Sequence, residues 1–361
     1  MNSVLTRTRC LLNAPLEPKR FCVCVVGLVV SCLIAIATLN WTVNPYGQYS
    51  SEWLAPIVQD SRSEKVDFFE RLETPPQGLI LGSSRALKFE PEYLQSRTSQ
   101  TFFNFAVNHG RPEDFLAIVR YYYHRNGYFP KTVLIGVDVS SLNDVVPNDA
   151  KLSAEPRLYS LARDTSWWTD EFDRFSQLFS YQQLSASLFS LRNVVCPRMP
   201  TESEQCLNAN GLIQYTKRQS QIANGTYDFE SALDFNQREF LSVFSQLNQP
   251  SPRRLGYLRE TLRICSANGC QVYLFTTVSH PRLRELLATK TKFLLVEEKA
   301  IHAIRELASD AGAKYVDFGS IETFNGDPDC FVDGIHPLEP NTRRMIDRLM
   351  SRSVGDSYAV Q

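Results

Sequence analysis

Five short apolar runs along the chain predict the strands of a parallel sheet. They lie at residues 78–82, 101–107, 132–138, 271–278 and 314–318 (GLILG, TFFNFAV, TVLIGVD, QVYLFTTV and KYVDF). None of them shows the regular alternation of apolar and polar residues that marks a strand with one face in water. Continuous apolar runs of this length are typical of parallel strands that are covered on both faces.

Helical segments lie between these runs. The segment that begins at Pro112 (PEDFLAIVRYYYHRNG) repeats apolar residues on one face and ends at Asn126 and Gly127. A second segment (VEEKAIHAIRELASDAG) has the same spacing and ends at Gly312. Proline in the first turn and glycine after the last turn are common helix boundaries. Strands that alternate with such helices predict an α/β domain, in which a five-stranded parallel sheet lies between two helical layers.

A long interval separates the third predicted strand from the fourth. It covers more than 100 residues, which is too long for a structureless connection inside a compact domain. We therefore predict a helical insertion at about residues 145–255, and Trp168, Phe172, Phe175 and Phe179 recur within it at helical spacing. Core packing of the insertion is the favoured interpretation of these aromatic residues. The alternative is a lid or an acceptor-binding platform beside the site.

Residues 21–41 (FCVCVVGLVVSCLIAIATLNW) carry no charge and are long enough to cross a bilayer as a helix. Basic residues concentrate on the N-terminal side of this segment, and the first charged residues on the other side are acidic. The positive-inside bias therefore places residues 1–20 in the cytoplasm and the chain after the segment in the periplasm or the extracellular space. The sequence predicts a single-pass membrane protein.

A cleaved signal peptide is an alternative to an uncleaved anchor. The apolar core of a signal peptide is usually shorter than this segment. Val29 to Cys32 also resembles a lipoprotein cleavage box, yet apolar chain follows Cys32 where a polar tether is expected. We favour the uncleaved anchor, followed by a linker and lead-in at residues 42–77 and by the α/β domain at residues 78–361.

Five of the nine cysteines lie after the predicted anchor, and four of them form two close pairs. Cys196 with Cys206, and Cys265 with Cys270, predict two disulfides in an oxidising compartment. The alternative is that these cysteines are small buried apolar residues. No Cys-x-x-Cys motif and no histidine pair accompanies them, so we predict no metal site.

The charge balance argues against nucleic acid as a partner. The formal net charge is -1, and no run of lysine and arginine with interleaved aromatic residues is present. We also predict no cofactor.

Polar residues follow several predicted strands, at the end where ligands bind in open parallel sheets. Ser83 and Ser84 follow the first strand, and Asp333 and His336 lie in a glycine-containing segment after the fifth. Each pair alone has a simple structural interpretation, as a strand-end turn or a capped surface turn. Together and in this order they predict a catalytic site, in which Asp333 orients His336 and the imidazole activates Ser84.

These blocks resemble the SGNH, or GDSL-type, hydrolase superfamily. Residues 82–84 (Gly-Ser-Ser) match the nucleophile block of that family, with Ser84 as the nucleophile and with serine where aspartate is common. Residues 333–336 reproduce its Asp-x-x-His block. The resemblance covers residues 78–138 and 271–350. It implies a three-layer flavodoxin-like fold and the catalytic triad just described.

The middle blocks of the family supply the oxyanion hole, together with the amide of Ser84. Gly110, directly before a predicted helix, matches the glycine that donates its amide. Asp138 occupies the place of an asparagine that donates from its side chain, and an ionised carboxylate cannot donate. Three roles for Asp138 stay open: a protonated donor, a partner that orients Arg85, or a structural residue.

A single N-terminal anchor before such a domain is similar to the arrangement of bacterial cell-surface polysaccharide O-acetylation proteins. The linker from Asn44 to Gly47 and the Gly-Ser-Ser-Arg form of the nucleophile block are similar to that anchored group as well. The resemblance implies a serine esterase or O-acyltransferase that acts on acyl esters of a carbohydrate, with a membrane-bound O-acyltransferase as partner. Arg85 is the candidate substrate-binding residue, and its alternative role is a helix-start residue paired with a nearby carboxylate.

A non-catalytic scaffold is the competing hypothesis. It would hold an SGNH-like domain in a surface-polymer modification or export assembly, with Ser84 and His336 retained but misaligned. The aspartate at position 138 is the feature that favours it most.

Overall fold

The computed structural model describes residues 18–46, 49, 51, 53–54, 61–144, 150–162, 172, 175–195 and 206–351. The helices that it describes are α1 (Pro18–Val43), α2 (Ser61–Glu70), α3 (Pro91–Thr98), α4 (Pro112–Asn126), α5 (Ala150–Ser153), α6 (Pro156–Ala162), α7 (Tyr181–Val195), α8 (Thr216–Ala223), α9 (Phe229–Gln246), α10 (Pro252–Ala267), α11 (Pro281–Lys290), α12 (Phe293–Asp310) and α13 (Glu339–Met350). The strands are β1 (Gly78–Leu81), β2 (Phe102–Asn104), β3 (Thr132–Val137), β4 (Cys206–Leu207), β5 (Ile213–Gln214), β6 (Gln271–Thr276) and β7 (Lys314–Asp317). Short 3-10 helices lie at Ser84–Ala86, Val139–Leu142 and Ile321–Phe324.

A five-stranded parallel sheet forms the centre of the α/β domain. Its strands lie in the order β2-β1-β3-β6-β7, and every neighbouring pair is parallel. The prediction of an α/β domain with five parallel strands is confirmed, and each strand lies within one of the predicted apolar runs. The chain reverses its direction across the sheet between β1 and β3. Doubly wound domains bind ligands at this reversal, beyond the carboxyl ends of the strands.

Apolar side chains cover both faces of this sheet. Leu79 and Leu81 of β1 belong to one cluster, together with residues of α2, α4, α10 and α12. Ile80 belongs to a second cluster, together with residues of α3 and α13. Neighbouring side chains alternate between the two faces because a strand has a period of two residues. Since both faces are buried, the strands appear in the sequence as continuous apolar runs.

The lead-in predicted at residues 42–77 contains a helix that belongs to the domain core. Phe69 of α2 is fully buried, and its ring packs edge-on against Phe103 at 5.3 Å between centroids. Arg62 and Lys65 on the same helix are also buried, and both donate hydrogen bonds to backbone carbonyls of the domain. Helix α2 is therefore part of the folded domain and not a simple connection.

The chain divides into two compact units. One contains Met1–Val58 and Trp168–Met199, and the other contains Gln59–Trp167 and Pro200–Gln361. The insertion predicted at about residues 145–255 therefore does not form one piece. Its middle part belongs with the N-terminal helix, and its later part, with the antiparallel β4-β5 hairpin, α8 and α9, belongs with the sheet. Helical spacing does not predict this hairpin.

Helix α1 is long and apolar enough to cross a membrane, by length and composition. Its most apolar 18-residue window has a mean hydropathy of 2.8, and none of that window is buried. The predicted anchor at residues 21–41 lies entirely within α1. Helix α7 packs against the C-terminal part of α1 in the same unit.

Three aromatic residues of the insertion do not lie in a core. Phe172 and Phe175 are 69% and 57% exposed, and Phe179 is exposed as well. The expectation that these side chains pack in a core is wrong, and Trp168 lies outside the described residues. Helical spacing shows which side chains share a face, but it does not show what covers that face.

The predicted disulfide between Cys265 and Cys270 is not formed. The spacing does bring the two side chains together, but as free thiols that hydrogen-bond to each other. The hydrogen bond to Cys270 and burial raise the pKa of the Cys265 thiol. Cys206 is a free, exposed thiol, and its predicted partner Cys196 lies outside the described residues.

Candidate active site

The turn after β1 gives its two serines different environments. Ser83 is buried, and its Oγ accepts a hydrogen bond from the amide of Arg85 at 3.2 Å. This contact caps the short 3-10 helix that begins at Ser84, as serine commonly does at helix starts. Ser84 is partly exposed and lines a cavity. Ser83 is therefore a structural cap, and Ser84 is the hydroxyl available to a substrate.

His336 joins Ser84 and Asp333 into one hydrogen-bonded chain. Its Nε2 atom lies 2.8 Å from Oγ of Ser84, and its Nδ1 atom lies 2.8 and 3.0 Å from the two carboxylate oxygens of Asp333. Ser84 and His336 are 252 residues apart in sequence. The fold thus brings together the three residues that the motifs single out, beyond the carboxyl edge of the sheet.

Backbone hydrogen bonds hold the loop that carries Asp333 and His336. One oxygen of Asp333 accepts from the amides of Ile335 and His336, each at 2.9 Å. The amide of Val332 donates to the carbonyl of His336 at 2.9 Å, so the loop closes on itself. An aspartate that binds amides two and three residues ahead forms a tight turn. The Asp-x-x-His spacing therefore places the imidazole beside the carboxylate.

Asp333 is held in its ionised form. Burial alone would raise its pKa, but the charge and hydrogen bond of His336 and the amides of Ile335 and His336 outweigh burial and lower the pKa to about 2. Because an ionised carboxylate only accepts, Nδ1 of His336 donates the proton in this contact. In the neutral imidazole, Nε2 is then the acceptor for the hydroxyl of Ser84. A general base at Ser84 needs this tautomer.

Gly110 lines the cavity, but its amide already has an acceptor. The amide donates to the carbonyl of Val107 at 2.9 Å, which closes a turn after β2. A Cβ atom at Gly110 would lie 2.2 Å from the carbonyl oxygen of Gly82, directly before the nucleophile turn. The structure therefore does not place this amide as the expected oxyanion donor. It gives Gly110 a steric role, since only glycine lets the two turns approach so closely.

A buried ion pair holds the turn that contains Gly110. Arg62 binds both carboxylate oxygens of Asp114, at 2.8 and 3.0 Å, and both side chains are fully buried. The guanidinium also donates to the carbonyl of Asn108 at 3.2 Å. Asp114 lies in the first turn of α4 and accepts from the amide of Arg111 at 2.9 Å. Helix α2 and the start of α4 thereby fix the turn beside the nucleophile.

Asp138 acts as an acceptor in this site. One carboxylate oxygen accepts from the hydroxyl of Thr277 at 2.6 Å, and the other lies 3.7 Å from Nε of Arg85. These contacts do not place Asp138 as an oxyanion donor, which was its expected position in the family pattern. Of the three roles left open by the sequence, the geometry supports the one in which Asp138 orients Arg85.

Arg85 is a buried cation at the wall of the cavity. Its Nη1 atom lies 3.3 and 3.2 Å from the hydroxyl oxygens of Thr277 and Ser279, to which it donates. The guanidinium also lies 5.2 Å from the ring centroid of Phe240. Arg85 is thus paired with a carboxylate, as the structural alternative predicts, and it also lines the cavity that a substrate would enter.

The cavity beside Ser84 has a volume of about 920 Å³. Residues that follow the strands, such as Ser84 and Asp138, line one part of the cavity. Phe235, Asn236 and Phe240 of α9 line another part. Asn236 also accepts a hydrogen bond from the amide of Gly334 at 2.9 Å, within the loop that carries the imidazole. The later part of the insertion is therefore a wall of the site and not only packing for the core.

Sequence motifs miss several residues that shape this site. Thr277 and Ser279 come directly after β6, and their position beyond the end of a parallel strand is a signal that could have found them. Arg62, Asn236 and Phe240 lack such a signal, because they lie on helices whose positions only the fold decides.

The chain matches no protein-family model and no curated protein. The geometry alone defines its class, which is an α/β domain with a Ser-His-Asp hydrogen-bonded triad at the carboxyl edge of a parallel sheet. Within the part of the chain that the structure describes, no group of three or more His, Cys, Asp or Glu side chains could hold a metal ion.

Replacing Gly110 with alanine tests its steric role. We expect Gly110→Ala to destabilise the protein by about 1–3 kcal/mol or more, because the new Cβ collides with the backbone of Gly82. Thermal denaturation of the full-length chain in detergent measures the effect. Gly256→Ala is the matched control, since nothing lies within 4 Å of a Cβ there and alanine favours the helix. Equal stability of the two variants would contradict the steric role.

The low pKa of Asp333 predicts how acid affects stability. The folded-state pKa lies below the value of about 3.9 expected for the unfolded chain, so the carboxylate stabilises the fold above about pH 4. This contribution is lost as the pH falls toward 2. We therefore expect wild type to exceed Asp333→Asn in stability near neutral pH and the difference to shrink between about pH 4 and 2. Thermal denaturation at each pH makes the comparison, and a constant difference over this interval would rule out the stabilisation.

Proposed function

We propose that this protein is a membrane-anchored serine esterase or O-acyltransferase that acts on acyl esters of a cell-surface carbohydrate. The observation that carries the proposal is the 2.8 Å contact between Nε2 of His336 and Oγ of Ser84, with Asp333 behind the imidazole. The resemblance of the Gly-Ser-Ser and Asp-x-x-His blocks to SGNH hydrolases supports the same chemistry. The cavity of about 920 Å³ beside Ser84 provides room for an ester substrate.

The first half of the proposed reaction forms an acyl enzyme. Nε2 of His336 takes the proton of Ser84 as Oγ bonds to the ester carbonyl carbon, and Asp333 stabilises the resulting imidazolium. The carbonyl oxygen becomes an oxyanion. As the tetrahedral intermediate collapses, the bond from carbon to the alcohol oxygen breaks, and the imidazolium gives its proton to the leaving alcohol. The acyl group is then bound to Ser84.

The second half transfers the acyl group to an acceptor. His336 removes a proton from water or from a sugar hydroxyl, whose oxygen attacks the acyl carbon, and Ser84 recovers a proton as its bond to the acyl group breaks. Water as acceptor makes the protein an esterase, and a sugar hydroxyl makes it an O-acyltransferase. The rings of Tyr227 and Phe235 and the polar side chains of the cavity lining suit a polyhydroxylated acceptor.

The oxyanion needs donors that Asp138 does not supply. Ser84 begins a 3-10 helix, and its own amide has no acceptor within that helix, whereas the amides of Arg85 and Ala86 already donate to Ser83. Asn108 lines the cavity from the turn after β2 and carries a carboxamide, the donor type that position 138 lacks. Arg85 adds a buried positive charge at the same wall. We assign the oxyanion site to the amide of Ser84, the carboxamide of Asn108 and the guanidinium of Arg85.

Helix α1 gives the proposed cellular location. Basic residues precede it, so the positive-inside bias places the N-terminus in the cytoplasm and the α/β domain in the periplasm or the extracellular space. An acyl donor made inside the cell then has to cross the membrane. A membrane-bound O-acyltransferase that delivers the acyl group is the proposed partner, as the resemblance to polysaccharide O-acetylation proteins implies.

Covalent labelling of Ser84 tests the proposed chemistry. A fluorophosphonate probe should label the full-length chain in detergent at Ser84, because the imidazole at 2.8 Å activates the hydroxyl. Ser84→Ala and His336→Ala should abolish labelling, as located by mass spectrometry. Ser83→Ala is the matched control, since removal of the neighbouring hydroxyl should leave the adduct on Ser84. A folded chain that stays unlabelled would overturn the proposal and favour the non-catalytic scaffold.

The pairing of Arg85 with Asp138 predicts coupled effects on the reactivity of Ser84. Arg85→Gln and Asp138→Ala should each slow the fluorophosphonate reaction, because one removes the cation and the other removes the carboxylate that orients it. The double variant should react about as slowly as Arg85→Gln alone, since residues in contact do not act additively. Rates measured for wild type and the three variants give the coupling. If the double variant is slowed by the product of the two single-variant factors, Asp138 acts on the reaction without Arg85.

A further inference from the structure

Helix α7 is inverted relative to a helix of a water-soluble domain. Its buried positions include the polar residues Gln183, Ser187 and Ser190. Most of its exposed positions carry large apolar or aromatic side chains, which we call the α7 apolar face: Tyr181, Leu188, Phe189, Leu191 and Val194. The other exposed side chains that the structure describes on this helix are Ser185 and Arg192. Leu188 and Val194 are 54% and 60% exposed. A surface helix in water turns its apolar stripe inward and its polar residues outward, so an aqueous environment does not explain this arrangement.

Polar contacts join α7 to the end of α1. Asn40, in the last turn of α1, is fully buried, and its Nδ2 atom donates to the carbonyl of Leu178 at 2.7 Å. Its Oδ1 atom accepts from the hydroxyl of Ser187 at 2.8 Å. Small polar residues between helices, with apolar residues outside, are the pattern of helices that pack within a membrane. The contact between α1 and α7 has this pattern.

The surroundings of α7 extend the exposed apolar surface. Phe175 and Phe179, directly before the helix, are both exposed, and their ring centroids lie 5.4 Å apart. On α1, residues 18–35 are exposed, and so is Trp41 beside the buried Asn40. Tryptophan near the end of a membrane helix commonly lies at the boundary between hydrocarbon and head groups. The contact of α7 with Asn40 therefore places α7 near that boundary.

We propose that the α7 apolar face is a second membrane contact of this protein and that its occupant is the lipid bilayer. This inference rests on the membrane placement of α1 in the proposed function. With 15 residues, α7 is about 22 Å long, which is too short to span about 30 Å of hydrocarbon. The helix lies along the non-cytoplasmic interface, with its apolar face toward the acyl chains. The exposed Arg192 extends its charge to the head groups.

The contact with Asn40 is the reason to assign this face to lipid. Asn40 and Ser187 are 147 residues apart in sequence, so a tertiary hydrogen bond, and not chain proximity, holds α7 against α1. A helix held against a membrane anchor meets the same hydrocarbon that surrounds the anchor. A second copy of the chain or a partner protein on this face would have to displace that lipid.

Lipid photolabelling tests the proposal on the full-length chain. The protein is reconstituted into phosphatidylcholine vesicles that contain a trace of a phospholipid with a diazirine in its acyl chain, irradiated, and mapped by peptide mass spectrometry. We expect adducts on α1 and also on Leu188, Phe189 and Val194. The buried Ser187 and Ser190 should carry none, so the adducts should recur with the helical period of the exposed face.

Two matched variants sharpen the test. In the double variant Leu188→Asp with Phe189→Asp, the yield of adducts on α7 should fall at least tenfold, because charged residues avoid hydrocarbon. The yield of adducts on α1 should not change. Leu188→Ile with Phe189→Leu keeps the face apolar and should keep the adducts. Thermal denaturation of both variants shows whether either change unfolds the chain. Loss of α7 adducts in the conservative variant as well would contradict the proposal.

The outcomes separate this inference from the proposed function. Adducts on α1 without adducts on the α7 apolar face would overturn the second membrane contact, whether protein or water covers that face. If neither α1 nor α7 carries adducts, the membrane placement of α1 is wrong, and this inference is wrong with it. Fluorophosphonate labelling of Ser84 reports on the chemistry independently of both results.

Discussion

The hydrogen bond between Nε2 of His336 and Oγ of Ser84 joins two turns that form far apart in the sequence. Each turn is stabilised by its own local contacts: Ser83 caps the first, and the carboxylate of Asp333 binds two amides of the second. Neither contact brings the turns together. The parallel sheet does so, because both turns lie beyond the same edge. The proposed chemistry depends on the 2.8 Å distance between Nε2 of His336 and Oγ of Ser84, since a misplacement of about 1 Å can cost roughly a hundredfold in rate.

Three buried cations around the site are paired with carboxylates, and the pairs connect elements that carry or flank the site. Arg62 links α2 to Asp114 at the start of α4, and Lys88, in the segment after the nucleophile turn, binds Glu339 at the start of α13. Arg254 of α10 pairs with Glu113 of α4 in the same way. Removing one partner of such a pair leaves a buried charge without compensation, which is strongly destabilising. The frame of the site is therefore fixed by ion pairs as well as by apolar packing.

The two units of the chain differ in the side chains that they expose. In the unit with the sheet, apolar residues such as Leu79 and Phe69 are inside, as water requires. In the unit with α1, the fully buried Asn40 and Ser187 lie between helices, and Leu188 and other large apolar side chains are outside. The membrane environment that we propose for this unit would account for the second arrangement, because helices in lipid gain nothing from hiding apolar side chains. The two units therefore differ in which side chains they bury.

The sequence by itself determined the features that depend on neighbouring residues: five apolar strands, the boundaries of α4 at Pro112 and Gly127, and the turns that carry Ser84 and Asp333. It also indicated that these turns meet, since parallel strands end at one edge. Only the tertiary structure decided that Gly110 packs on Gly82, that the carboxylate of Asp138 pairs with Arg85, and that α7 buries its polar side chains. The physical reason is that these roles are set by contacts between distant segments. Local spacing fixes which way a side chain points along its own element, but not which atoms it meets.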